Sequence, residues 1–201
     1  SFQQPVETIE SISIGTINLL EGIRFADTPT KFYNAGSSEC FGDTDGRAAD
    51  ENTAFRPRSP YGTAKAASHW TVNNYRESYG ISACTGILFN HESPLRPERF
   101  VTRKIVKGAV RIAKDGGGTL ELGNLDISRD WGWAPEYVEA MWRMLQLETV
   151  EDFVIATGRS ESLRHFCEVA FDAVGLRAAD HVRCTEQFCR PSDVKFGLGN
   201  P

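Results

Sequence analysis

The sequence predicts an α/β fold in which a parallel sheet is flanked by helices. Amphipathic helical stretches alternate along the chain with short apolar segments of strand length, which is the order typical of parallel sheets. The chain has 201 residues, of which 40% are hydrophobic, and this is enough for a sizeable core.

The clearest single element is a helix over residues 60–79. Ser59 is a candidate N-cap, Pro60 suits the first helical position, and Gly80 is a typical C-terminal stop. The other helices are predicted over residues 5–25, 100–113, 135–147 and 160–174, and the strands over residues 31–35, 82–89, around Leu120 and over 153–156. The segment 82–89 is apolar or small almost throughout, so we expect a strand buried on both faces.

Composition and charge exclude several classes of function. The net charge of −5 and the pI of about 5.4 argue against a nucleic-acid or anionic-membrane surface. No segment approaches the roughly 20 apolar residues of a spanning helix, and the first residues lack the basic and apolar regions of a signal peptide. We therefore expect a cytoplasmic protein with neither a membrane nor a nucleic-acid partner.

The five cysteines, Cys40, Cys84, Cys167, Cys184 and Cys189, are an odd number without CxxC spacing. This pattern predicts reduced thiols rather than a disulfide framework or a zinc site. The histidines are scattered along the chain, so we expect no bound metal.

Tyr61 and Lys65 lie four residues apart near the start of the predicted helix 60–79, so both side chains leave one helix face. A cation and the positive helix end both favour a phenolate, so the pair predicts a tyrosine base with a lowered pKa. The alternative is a surface tyrosine and lysine on an ordinary helix.

Ser37, Ser38 and Glu39 follow the strand 31–35, where ligands bind in open α/β sheets. Glu39 is a candidate general base for a carbon acid, and the serines are candidate hydrogen-bonding or proton-shuttling groups. The alternative is that the serines only end the strand and that Glu39 is solvated.

The segment 90–94 directly follows the buried strand 82–89, and four cations follow it: Arg96, Arg99, Arg103 and Lys104. Arginine and lysine at such a place suit the phosphates of a nucleotide diphosphate, although a solvated basic helix start is the alternative.

A series of short sequence motifs extends these observations. They are GTINLLE at 15–21, RSPYGTAK at 58–65, NHESP at 90–94, FVTRKI at 100–105, LGNLD at 122–126, RDWG at 129–132, DFVIATG at 152–158 and FCRPSDV at 188–194. In this order they resemble the GDP-mannose 4,6-dehydratase family of the extended short-chain dehydrogenase/reductases, over essentially the whole chain. The resemblance implies a Rossmann-type sheet with a smaller C-terminal substrate-binding portion.

The resemblance also implies a reaction on one bound NADP. Tyr61, assisted by Lys65, takes the proton of the mannose 4-hydroxyl while hydride leaves carbon 4. Ser37 stands where the family usually has a threonine and supplies the same hydroxyl group. Glu39 then removes the proton at carbon 5 as water leaves carbon 6. Return of the hydride to carbon 6 gives GDP-4-keto-6-deoxymannose, from which GDP-fucose and other deoxyhexoses are made.

By the same resemblance, Tyr61, Lys65, His91 and Arg96 contact NADP. The residues expected to hold GDP-mannose are Ser38, Asn90, Lys104, Arg129, Arg190 and Asp193. The implied division is a partial NADP-binding Rossmann domain with the catalytic residues over 1–90, and a mainly GDP-sugar-binding region over 91–201 whose strand 152–157 returns to the sheet. The family forms homodimers or homotetramers.

Four departures from the family pattern stand out. Leu95 replaces a second arginine, Trp133 replaces a histidine, and Asp193 is one methylene shorter than the usual glutamate. The sequence also has no GxxGxxG turn for the dinucleotide pyrophosphate. We therefore expect a chain that lacks the first strands of the fold, as a fragment of a longer protein.

Two alternatives remain open. One is a related enzyme, either another nucleotide-sugar dehydratase or a GDP-4-keto-6-deoxymannose reductase, which would not need a carboxylate at position 39. The other is a truncated, non-catalytic relic that keeps the site residues without binding the dinucleotide.

Overall fold

The computed structural model describes residues 1–26, 28–188, 192 and 194–201. Its helices are α1 (Pro5–Ile9), α2 (Gly15–Ala26), α3 (Pro60–Tyr79), α4 (Val101–Asp115), α5 (Ala134–Gln146), α6 (Leu163–Asp172) and α7 (Ala178–His181). Its strands are β1 (Phe32–Ala35), β2 (Ala83–Leu88), β3 (Asn90–Glu92), β4 (Leu120–Leu122), β5 (Ser128–Arg129), β6 (Trp131–Trp133), β7 (Phe153–Ile155), β8 (Glu161–Ser162) and β9 (Val182–Cys184).

The main sheet confirms the predicted α/β class. It has the strand order β1-β2-β7, and both pairs are parallel, with Phe32 opposite Ala83 and Gly86 opposite Phe153. Every residue of β2 is buried, as its apolar run predicts for a central strand covered on both faces. All three strands therefore end at the same edge of the sheet.

Helix α3 begins and ends where the sequence predicts. The Ser59 hydroxyl accepts a hydrogen bond from the Gly62 N–H at 3.0 Å, and Pro60 occupies the first turn. Gly80 has a φ of 66°, a left-handed conformation that ends the helix at little steric cost.

The helix predicted over 5–25 is not regular, because a π-helical segment, Glu10–Ile14, separates α1 from α2. The hydroxyls of Thr16 and Ser68 both donate to the Ile12 carbonyl, at 2.7 Å and 3.3 Å. Ser13 donates to the Ala64 carbonyl of α3 at 3.1 Å. These hydroxyls engage the helix backbone and its partner helix at the widened turn, a local arrangement that helical periodicity does not reveal.

The second half of the chain encloses a separate core. Its fully buried members include Ile105 of α4, Leu122 of β4 and Phe171 of α6. The helix predicted from residue 160 starts later, at Leu163, because Glu161 and Ser162 pair with β5 as strand β8. The Ser162 hydroxyl then caps α6 by accepting from the His165 N–H at 3.0 Å.

A carboxylate ties helix α3 to the sheet. Asp152, which directly precedes β7, accepts from the Arg76 guanidinium at 2.9 Å and 3.1 Å and from the Thr85 N–H at 2.6 Å. Burial alone would raise the pKa of Asp152, but the bonds from Arg76 and Thr85 outweigh it and lower that pKa. The ionised carboxylate is therefore the form that stabilises the fold.

Within the described part of the chain, no helix is both long enough and apolar enough to cross a bilayer. Cys40, Cys84 and Cys167 are buried free thiols, and Cys184 is an exposed one. Cys189 lies outside the described residues.

We expect Asp152→Ala to lower the free energy of unfolding of the full-length protein by about 3 kcal/mol, because it leaves the Arg76 charge and the Thr85 N–H without their partner. Glu139→Ala, which removes an exposed ion pair with Arg143, should cost about 0.5 kcal/mol or less. Denaturant unfolding measures both.

The ion pair between Asp152 and Arg76 also makes the stability of the fold depend on pH, and the sign of this dependence follows from the pKa of Asp152. A lowered folded-state pKa means that the stabilisation is complete above the ordinary value of 3.8 and is lost as the pH falls below it. The stability gap between the wild type and Asp152→Asn should therefore narrow in that acidic range. A gap that stays constant down to acid unfolding would contradict the assignment.

Candidate functional site

The site begins where β1 ends. Gly36 crosses close over β2, since a Cβ there would lie 2.7 Å from the Thr85 methyl carbon and 2.9 Å from the Gly86 carbonyl oxygen. Ser37 follows in an extended conformation and caps a short 3-10 turn, Ser38–Cys40, by accepting from the Glu39 N–H at 3.3 Å. The turn places Ser37, Ser38 and Glu39 at the carboxyl edge of the sheet.

Helix α3 packs its first turn directly on this 3-10 turn. A Cβ at Gly62 would lie 2.7 Å from the Glu39 carbonyl oxygen and 3.2 Å from the Pro57 Cβ, so only glycine fits. The Cys40 thiol lies 3.8 Å from the Gly62 carbonyl oxygen, as a weak hydrogen bond. This approach puts Tyr61 beside Ser37 and Glu39.

The pKa of the Tyr61 phenol is raised, so the predicted direction was wrong. Burial is the main cause, because it penalises the phenolate, and the negative charge of Glu39 acts in the same sense. A hydrogen bond with Ser37 and the charge of Arg96 lower the pKa, but by less. The sequence spacing pointed to Lys65, but the cation that lowers this pKa is Arg96, and the spacing gives no sign of the desolvation.

Lys65 is directed to the end of β1. Its ammonium donates to the Ala35 carbonyl at 2.8 Å and lies 5.7 Å from the centre of the Tyr61 ring. Burial lowers the pKa of Lys65. The strand carbonyl thus fixes the lysine next to the tyrosine.

His91 lies in β3, just beyond the end of β2, with its ring held on two sides. Nδ1 lies 2.8 Å from the Phe89 carbonyl oxygen, which can only accept, so the ring proton belongs on Nδ1 and Nε2 is left for another partner. The ring also stacks on Tyr137, with centroids 4.7 Å apart and an interplanar angle of 25°.

Two of the cations predicted to bind the ligands, Arg96 and Lys104, make local contacts. Arg96 Nε lies 3.2 Å from the Glu92 carboxylate, in an ion pair without the alignment of a hydrogen bond. The Arg96 guanidinium also lies over the Phe100 ring, with Cζ 3.7 Å from the ring centre. Lys104 donates to the Glu121 carbonyl at 2.7 Å and lies 3.9 Å from the centre of the Phe188 ring.

Four of the predicted residues meet around one small pocket. Its lining comprises Ser38, Glu39, Gly42, Thr44, Phe89, Asn90, Arg129, Val194, Gly197 and Leu198. The structure thus brings Ser38, Glu39, Asn90 and Arg129 together. Arg190 and Asp193 lie outside the described residues.

The sequence did not point to Gly42, Thr44, Val194, Gly197 or Leu198 in that lining. The last three approach Glu39 only through long-range folding, and no local signal marks them. Two of the four departures from the family pattern lie on the surface: Leu95 is 91% exposed, and Trp133 is 48% exposed in β6 opposite Glu92.

A tyrosine and a lysine on one helix beside the carboxyl ends of a parallel sheet define a Rossmann-type protein of the epimerase and dehydratase class. The chain superposes on dTDP-glucose 4,6-dehydratase from Bacillus anthracis in complex with NAD with a TM-score of 0.86 at 20% identity, over 97% of this chain and 60% of that one. UDP-glucose 4-epimerase from Thermus thermophilus in complex with NAD gives a TM-score of 0.85 at 25% identity, over 100% and 65%.

The family is narrower than that class. The GDP-mannose 4,6 dehydratase family matches residues 1–201, and the chain belongs to it. GDP-mannose 4,6 dehydratase 1 of Arabidopsis thaliana is 48% identical over 198 residues, which are 96% of this chain and 55% of the relative. GDP-mannose 4,6-dehydratase of Vibrio cholerae is 51% identical over 178 residues, which are 88% and 48%. The chain thus spans about half the length of these relatives.

We expect Gly62→Ala to lower the melting temperature, because overpacking against the Glu39 carbonyl costs about 1–3 kcal/mol. The matched control is Gly22→Ala in α2, where nothing lies within 4 Å of the added carbon. That control should gain about 0.5–1 kcal/mol from helix propensity. Equal effects of the two substitutions would contradict the close approach.

Proposed function

We propose that the full-length protein dehydrates GDP-mannose to GDP-4-keto-6-deoxymannose, with bound NADP as the transient hydride carrier. The main support for this proposal is that Tyr61 lies beside Ser37 and Glu39, while Glu39 lines one pocket with Asn90 and Arg129. This neighbourhood supports the proposal that an acid-base group for a hydroxyl and a carboxylate for a carbon acid act on one ligand. Membership of the family supports GDP-mannose as the ligand.

The residues at the end of β1 fit a dinucleotide. Lys65 uses one ammonium hydrogen on Ala35, so its other hydrogens are available to ribose hydroxyls. Gly36 leaves the strand end without a side chain, and His91 offers Nε2. Tyr61, Lys65, His91 and Arg96 would hold the cofactor, which supplies a hydride acceptor and donor when bound.

Tyr61 takes the proton from the 4-hydroxyl of the mannose as carbon 4 is oxidised. Its raised pKa makes the isolated phenolate unfavourable, so the neighbouring Ser37 hydroxyl, which lowers that pKa, is the group that eases proton transfer. Lys65, fixed by Ala35, favours the negative charge that develops on the phenol.

Glu39 removes the proton at carbon 5, which the 4-keto group makes acidic, and the carbon 6 hydroxyl takes up a proton and leaves as water. The resulting 4-keto-5,6-ene would become the product by accepting the stored hydride at carbon 6 and a solvent-derived proton at carbon 5. Its main chain is fixed by the Gly62 contact, so the carboxylate is presented from a rigid turn. A reductase has no carbon 5 proton to remove, so Glu39 favours the dehydratase over the reductase.

We propose Ser38, Asn90, Lys104 and Arg129 as ligands of the GDP-mannose, together with Arg190 and Asp193. The cations suit the diphosphate, since arginine and lysine bind phosphate oxygens through charge-assisted hydrogen bonds. On this proposal residues 1–90 carry the catalytic and NADP-binding groups, and residues 91–201 mainly bind the GDP-sugar.

We further propose that the protein acts as a homodimer or homotetramer. Helices α1, α2 and α3 pack together and leave Val6, Leu19 and Trp70 more than half exposed, at 67%, 60% and 61%. Such apolar side chains on neighbouring helices suit a contact between copies.

Tyr61→Phe in the full-length protein should lower kcat by at least about a hundredfold, because it removes the group that accepts the 4-hydroxyl proton. GDP-mannose binding, measured by calorimetry, should stay within about twofold, since the ring and its packing remain. The control is Tyr79→Phe on the same helix, half exposed and distant from Ser37. Equal loss of binding and turnover would mean that Tyr61 has a structural role.

Incubating the full-length protein with GDP-mannose and NADP should give the dehydrated 4-keto product, and in D₂O its carbon 5 should carry solvent deuterium. Glu39→Gln should lower that exchange by about 10²–10⁴-fold, the usual contribution of a general base. No product from GDP-mannose, together with reduction of GDP-4-keto-6-deoxymannose when NADPH is supplied, would indicate a reductase, and no activity in either assay would indicate a relic; either outcome would contradict the proposal.

A further inference from the structure

Asp130 is a buried carboxylate on which four donors converge. It lies between β5 and β6 and is 0% exposed. One oxygen accepts from the N–H and the hydroxyl of Thr157 at 2.9 Å and 2.7 Å. The other accepts from the N–H groups of Gly158 at 3.0 Å and Gly199 at 3.4 Å. These donors come from two distant segments, the loop after β7 and the segment 194–201.

The segment 194–201 forms one wall of the pocket. Val194, Gly197 and Leu198 line it opposite the 3-10 turn. The segment pairs with β5 through Ser128, which donates to the Lys195 carbonyl at 2.9 Å and accepts from the Gly197 N–H at 3.0 Å. The wall is therefore attached to the strand that carries Arg129.

Gly199 fixes the far end of this wall. A Cβ there would lie 2.3 Å from the Ala156 Cβ and 2.9 Å from the Phe89 ring, so the segment passes tightly between them. Phe89 immediately precedes Asn90, which lines the same pocket. A shift at Gly199 would thus move both sides of the pocket.

We propose that Asp130 is a positioning residue for the substrate pocket. By holding Thr157, Gly158 and Gly199 together, it sets the wall 194–198 against Glu39 and keeps Arg129, its chain neighbour, at the pocket. The inference rests on the proposed function only in taking the ligand of this pocket to be the GDP-sugar.

Asp130→Asn tests this proposal, because the positions of the donors around Asp130 determine which hydrogen bond the amide loses. The oxygen facing Gly158 and Gly199 has only N–H partners, so the amide nitrogen must turn toward Thr157. The Thr157 hydroxyl can accept from it and donate instead to the Arg159 carbonyl at 3.3 Å, but the Thr157 N–H is left without an acceptor. The fold is kept while the Asp130–Thr157 connection weakens.

In the full-length protein, Asp130→Asn should raise the KM for GDP-mannose about tenfold and change kcat by less than about threefold, as the loss of one buried hydrogen bond at a binding wall implies. Hydrogen exchange of residues 194–201, followed by mass spectrometry, should become faster. The matched control is Asp115→Asn at the exposed C-terminal end of α4, which should leave KM, kcat and this exchange unchanged.

A lower melting temperature with unchanged KM and unchanged exchange in 194–201 would overturn the proposal, because Asp130 would then be structural only. If Asp130→Asn does not fold, Thr157→Val, which removes a single donor, should shift KM and exchange in the same direction by a smaller factor. A wild type without dehydratase activity would contradict the proposed function alone, since the exchange comparison needs neither substrate nor turnover and still decides the role of Asp130.

Discussion

The candidate site depends on the close approach of helix α3 to the turn that follows β1. Gly62 allows this approach, because the Cβ of any other residue there would clash with the Glu39 carbonyl oxygen. One backbone contact thereby sets the distance between the phenol of Tyr61 and the groups of Ser37 and Glu39. Lys65, one helical turn later, then reaches the Ala35 carbonyl at the strand end. The acid-base groups are positioned by main-chain packing rather than by flexible side chains.

Two carboxylates, the partly buried Asp152 and the buried Asp130, hold the scaffold around that contact. Asp152 connects α3 with β2 through Arg76 and the Thr85 N–H, while Asp130 gathers the loop after β7 and the segment 194–201. Each is satisfied by several donors, which is the condition for a buried charge to be tolerated. One fixes the sheet beside the candidate catalytic residues, and the other fixes the segment that lines the pocket opposite Glu39.

Local signals in the sequence predicted much of the fold and part of the site. The caps Ser59 and Gly80 define α3, and polar groups after strand ends bring Glu39 and Asn90 together, because parallel strands end at one edge. The raised pKa of Tyr61 was not predictable, since it arises from burial rather than spacing. The wall at Gly197 was not predictable either. It depends on a contact between residues far apart in sequence, in which the Lys195 N–H donates to the Asp43 carboxylate at 3.1 Å.

The proposed catalytic role requires that Tyr61 and Glu39 act in turn on one sugar that does not leave the site. The most direct measurement uses GDP-mannose deuterated at carbon 4 with the full-length protein in ordinary water, followed by NMR of the product. We expect deuterium at carbon 6 of GDP-4-keto-6-deoxymannose, because the hydride removed from carbon 4 returns within the same complex. A dehydrated product without deuterium at carbon 6 would contradict this mechanism.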